Sequence, residues 1–227
     1  MKTILLFLVA FALPLFSAEK SPLVKHLDAG EKLTIVTYGT SLTAGGAWVK
    51  QLAAVLEQQY PQQAKIINSG GSGKWSDWGV ANLQKRVIDK NPDVVFIEFS
   101  MNDCVERFQG SVAIAKKNLE TMIDGILQSN KKCKIILMTM TPGNAYPVGH
   151  TSYRKDIEKH YDMYREVAKE RKFLLIDHYP SWKKLQTEEP EKFKLFVPDT
   201  IHVTPKGCSE IVTPTIVAAL GLSPKAK

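Results

Sequence analysis

Five short apolar runs punctuate the chain: LTIVTY from Leu33, AKIINS from Ala64, DVVFIEFS from Asp93, KIILMTM from Lys134 and FLLIDHY from Phe173. Apart from the weaker AKIINS, they are nearly continuous in valine, isoleucine, leucine and phenylalanine instead of alternating with polar residues. That is the pattern of strands covered on both faces. Helical periodicity fills the gaps between them. Trp48, Leu52, Val55 and Leu56 recur at helical spacing between residues 48 and 60, as do Tyr153, Ile157, Tyr161, Tyr164 and Val167 between residues 153 and 171. Strand and helix alternating along the whole chain predict an α/β three-layer sandwich, with a central parallel sheet of about five strands between helices. Ligands of such a sheet sit outside the carboxyl ends of its strands. The segments to read for chemistry are therefore YGTSLTAGG, NSGGSGKW, SMNDC and TPGNAYPVGH, each just after a run, and PDTIHVTPKG before the terminal helix.

The 227 residues are 44% hydrophobic and 23% charged, which fits one globular domain with a sizeable core. The opening MKTILLFLVAFALPLFSA has one lysine, an apolar stretch and then small residues, the make-up of a secretory signal. Residues 1–18 are read as that signal, with cleavage after Ser17 or Ala18, and 19–227 as a single exported domain, periplasmic or secreted. No later run is long enough to span a bilayer, so no stable membrane insertion is expected after cleavage. The formal charge of +7 is spread over the helices and reads as solubility. Neither zinc-finger spacing nor an aromatic RNP-type run is present, so no nucleic-acid partner is expected. Cys104, Cys133 and Cys208 are an odd set for an oxidising compartment. Cys104 and Cys208 fall at the carboxyl edge of the sheet, among the loops just named, and Cys133 at the opposite edge. If a bridge forms it should join Cys104 to Cys208; the alternative is three separate thiols.

The glycine-rich NSGGSGKWSDWG invites a phosphate reading, which fails on inspection. A P-loop needs glycine where Asn68 stands and serine or threonine where Trp75 stands, and a dinucleotide fingerprint also fails at Asn68. What remains is a strand-to-helix turn. Ser41 in GTSL follows a strand at another such turn, where it is either a helix cap or an exposed nucleophile. It is not an α/β-hydrolase elbow, because Thr43 occupies the second glycine position. Asp199 and His202, three apart in DTIH, can pair within one turn, the carboxylate fixing the imidazole tautomer. His178 beside Asp177 reads as structural. No cluster has metal-ligand spacing.

Taken together, GTSL (39–42), the loop 68–73, MND (101–103) and DTIH (199–202) resemble the four blocks of the SGNH, or GDSL-type, hydrolase family, in the family's order. The resemblance implies a flavodoxin-like fold and a serine esterase working through an acyl-enzyme without a cofactor or metal. It makes Ser41 the nucleophile, His202 the general base and Asp199 its orienting partner. The oxyanion hole maps to the Ser41 N–H, the Gly73 N–H and the Asn102 amide, with glycine at 73 leaving the approach uncrowded. One position departs from the pattern: Thr40 replaces the usual aspartate, and its hydroxyl is expected to hold the turn. The family acts on varied esters, and export leans toward O-acetyl groups on carbohydrate. Trp75, Trp78 and Tyr146 are candidates to line the substrate. A lysophospholipase or thioesterase activity, and a noncatalytic carbohydrate-binding protein on the same fold, are the alternatives.

Overall fold

The computed structural model describes residues 19–222; the signal-like segment 1–18 lies outside the described residues. A short helix, α1 (Pro22–Asp28), precedes β1 (Leu33–Gly39), which passes through the helical turn α2 (Ser41–Ala44) into α3 (Ala47–Gln59). Next come β2 (Ala64–Asn68), α4 (Ser76–Arg86), β3 (Val94–Glu98), the turn α5 (Ser100–Asp103) and the long α6 (Val112–Ser129). β4 (Lys134–Thr139) is followed by an irregular stretch, 140–156, and then by α7 (Ile157–Arg171), β5 (Leu174–Asp177), α8 (Tyr179–Glu188) and α9 (Pro190–Phe196). The chain closes with α10 (Pro205–Gly207), a π-type stretch (Cys208–Val212) and α11 (Thr213–Leu220). Pro214 has no N–H for the carbonyl four residues back, and the ladder widens just ahead of it.

The five strands are all parallel, in the order β2-β1-β3-β4-β5, and helices cover both faces in the expected three-layer α/β sandwich. Strand periodicity divides the apolar side chains between two cores. Phe96 enters one with Trp48, Leu52, Trp182 and Ile216, while Val95 and Ile97 enter the other with Leu119, Ile123 and Tyr164. The weak AKIINS run is explained by position: β2 is an edge strand and only half-buried.

One expectation needs correction. The helix expected from Tyr153 begins at Ile157, because residues 153–156 are engaged elsewhere. Tyr153 O accepts from Glu106 N, Arg154 forms an antiparallel bridge with Val105, and Asp156 takes a left-handed φ of 56°. Of the two cysteine readings, three separate thiols is the one found: Cys104, Cys133 and Cys208 are all buried and free. Each packs as a small apolar residue, Cys104 and Cys208 in the first core and Cys133 in the second. At the amino ends of the strands, Ser21 N donates to Leu220 O at 3.0 Å, fastening α1 to the last helix.

Candidate active site

β1 and β3 are neighbours at the point where the strand order reverses, which opens a crevice beyond their carboxyl ends. Ser41 follows β1 there, and Asn102 follows β3. Thr40 caps α2, its hydroxyl accepting from Leu42 N at 3.1 Å and donating to Glu98 Oε2 at 2.9 Å. Ser41 is thereby the first residue of the turn rather than its cap. Glu98 Oε2 also accepts from Thr40 N (3.2 Å) and from the Thr43 hydroxyl (3.2 Å). The Glu98 carboxyl is buried, and desolvation pushes its pKa up to about 8 against those hydrogen bonds. An aspartate at position 40 would meet that carboxyl; Thr40 donates to it instead, so the hydroxyl does hold the turn.

The DTIH loop brings its pair to the same edge. Ser41 Oγ lies 2.9 Å from His202 Nε2, and His202 Nδ1 lies 2.6 Å from Asp199 Oδ2. Asp199 Oδ1 accepts from the His202 and Ile201 N–H groups at 2.7 and 3.0 Å. Burial works against its ionisation, but these hydrogen bonds together outweigh it and hold Asp199 below the usual carboxylate range. With the carboxylate on Nδ1, the ring carries its proton there and leaves Nε2 free to accept from Ser41.

Ser41, Gly73, Asn102, Asp199 and His202 all line one cavity of about 610 Å³. Asn102 Nδ2 donates to Lys74 O at 2.8 Å, which ties it to the glycine-rich loop. That loop is bound in turn to the nucleophile turn, Asn68 Nδ2 donating to Thr43 O at 2.9 Å. Gly73 has φ +67°, and a Cβ built on it meets nothing within 4 Å. Glycine suits that left-handed backbone, and the space beside it is open to the cavity. Asp103, next to Asn102, is buried and caps α4 from a distance, accepting from Ser76 N at 2.7 Å; desolvation raises its pKa to about 7.

Of the three aromatic candidates, Tyr146 lines the cavity, stacked on His150 with centroids 4.4 Å apart. Trp78 packs against the second core beside Tyr38 and Phe99, away from the cavity wall. Trp75 is also outside the wall, stacked on Phe108. His178 is fully buried, and the Asp177 carboxylate beside it is taken by Arg165 and Thr139. Two wall residues carried no sequence signal, Arg107 and Arg154. Among the described residues, no group of three or more histidine, cysteine or acidic side chains could hold a metal ion.

Residues 36–208 match the model of the GDSL-like lipase/acylhydrolase family. An arylesterase of Vibrio mimicus is 26% identical over 158 residues, covering 67% of this chain and 72% of that protein. The uncharacterized lipoprotein YqeF of Bacillus subtilis is 25% identical over 206 residues, covering 76% and 84%. Among solved structures, an acetylxylan esterase from Geobacillus stearothermophilus superposes with a TM-score of 0.70 at 18% identity, covering 85% of this chain and 96% of that one. Matched by the family model over most of its length, the chain belongs to the GDSL-like lipase/acylhydrolase family and is a hydrolase of ester bonds.

Proposed function

We propose that the protein is an exported serine esterase that removes O-acyl groups from carbohydrate through an acyl-enzyme on Ser41. The observation that carries the mechanism is the continuous relay from Ser41 Oγ through the His202 ring to Asp199, at 2.9 and 2.6 Å. Ser41 Oγ attacks the ester carbonyl carbon as His202 Nε2 takes its proton, and Asp199 steadies the imidazolium that forms. The carbonyl oxygen, now an oxyanion, receives hydrogen bonds from the Ser41 N–H, the Gly73 N–H and the second N–H of the Asn102 amide. His202 returns the proton to the departing alkoxide, and the acyl group stays on Ser41. Water then enters with His202 again as base, and the carboxylic acid leaves. No cofactor takes part.

The carbohydrate substrate is supported by the similarity to an acetylxylan esterase and by Tyr146, an aromatic face on the cavity wall. Export is supported by the signal-like composition of residues 1–18 and by the lipoprotein relative. The test is a panel of acyl esters of graded chain length, with acetylated polysaccharides, assayed on the parent and on Ser41→Ala. The parent should turn over acetyl esters, and the variant should fold and lose that activity. A variant within about tenfold of the parent, under roughly 1.4 kcal/mol of barrier, would overturn the assignment of Ser41.

A further inference from the structure

Arg154 is half-buried in the cavity wall, and all of its partners are neutral. Its Nε donates to Met101 O at 3.0 Å, Nη1 to Ser152 O at 3.0 Å, and Nη2 to Asn102 Oδ1 at 3.4 Å. A guanidinium taken out of water is ordinarily met by an opposite charge. Among the described residues no carboxylate lies within ion-pair distance of it. The one carboxylate on the cavity wall, Asp199, is already held by the His202 ring and two backbone N–H groups.

Arg107 joins Arg154 on the same wall, and its charge works against that of Arg154. It too lacks an ion-pair partner among the described residues, but it is held in place by stacking. Its guanidinium lies 4.8 Å from the Phe108 ring centroid, and Phe108 in turn stacks on Trp75 at 5.2 Å with the planes only 3° apart. An exposed arginine fixed in this way loses little further freedom when it binds. Two cations therefore line the cavity that holds Ser41, at a cost in mutual repulsion, and no carboxylate among the described residues pairs with either.

We propose that these two guanidiniums form an anion subsite, so that the preferred substrates are esters carrying a negative charge such as a carboxylate. Arginine's planar fork suits a carboxylate, sulfate or phosphate, and free N–H groups remain on both side chains. This rests on the esterase reading above and narrows its substrate class; an acetylated sugar acid would satisfy both.

The charge can reside in the alcohol or in the acyl part, and matched ester pairs separate the two. 4-Acetoxybenzoate against 4-acetoxybenzamide places it in the alcohol. A phenyl monoester of succinate against the corresponding succinamate ester places it in the acyl group. At low ionic strength the parent should favour the carboxylate of at least one pair by about tenfold or more in kcat/KM, and molar salt should close most of the gap. Arg107→Gln and Arg154→Gln should each shrink the ratio, and Arg107→Glu should invert it. Taking the ratio within each variant cancels any loss of fold or of Asn102 geometry that both esters share. Equal turnover of both pairs by the parent, or a preference that survives the double glutamine variant, overturns the anion subsite and leaves the esterase reading intact. If no ester is turned over and a neutral fluorophosphonate fails to label Ser41, both readings fall.

Discussion

Thr40 stands where the family usually has an aspartate, and the buried Glu98 beneath it supplies the reason. Three donors of the nucleophile turn converge on one Glu98 oxygen, yet desolvation keeps the pKa near 8, well above the usual carboxyl value of 4.5. Between roughly pH 4.5 and 8 the folded protein holds a proton here that the unfolded chain has released, so this group lowers stability as pH rises and adds no further slope above about 8. Glu98→Gln cannot ionise. Its melting temperature, relative to the parent, should rise steadily from pH 5 to pH 8. Thermal melts at four or five pH values test this; a constant difference across the range would mean that Glu98 is ionised in the folded state.

Between elements, the decisive contact joins the glycine-rich loop after β2 to α2 after β1. A Cβ on Gly70 would stand 2.5 Å from Ala44 N and 2.9 Å from Ala44 Cα, both backbone atoms that cannot swing aside. Gly70→Ala should therefore push the loop off the nucleophile turn and, through Lys74 O, disturb Asn102 as well. We expect kcat/KM to fall at least about tenfold with a lowered melting temperature, since misplacement by an ångström is that costly. Parent-like turnover would show that the two loops are positioned independently. This layered dependence also explains what the sequence did and did not disclose. Ser41 and Asn102 were legible because strand polarity sends the residues after β1 and β3 to one edge, and the DTIH loop because its Asp–His spacing and the order of the four motifs resemble the family's. Arg154 was not, because its place depends on the path of the irregular 140–156 stretch, which no periodicity announces. Trp75 and Trp78 misled for a related reason: closeness in sequence to Gly73 says nothing about which way a helix will face, and α4 turns Trp78 into the second core. Tyr153 was counted into α7 because its spacing was right, although a tertiary bridge at Arg154 holds it outside the helix.

At the scale of the whole molecule, the parallel sheet gives the protein two unlike ends. Every residue of the relay lies beyond the carboxyl ends of the strands, whereas Ser21, Pro22 and the starts of β4 and β5 border one small cavity at the amino ends. The Ser21 N–H to Leu220 O bond at 3.0 Å means that the two ends of the described chain already touch. A circular permutant that joins residue 222 to residue 19 through a short glycine-serine linker, and opens between the exposed Lys131 and Lys132, should fold and keep ester turnover within about tenfold of the parent. Ester assays with circular dichroism check it; a permutant that fails to fold would show that the order of synthesis, and not only the final contacts, is required. The same junction has a practical corollary for orientation. A bead, a tag or a lipid attached just ahead of Glu19 hangs from the floor of the molecule, and the protein then stands on its support with the mouth of the cavity turned toward the surrounding medium.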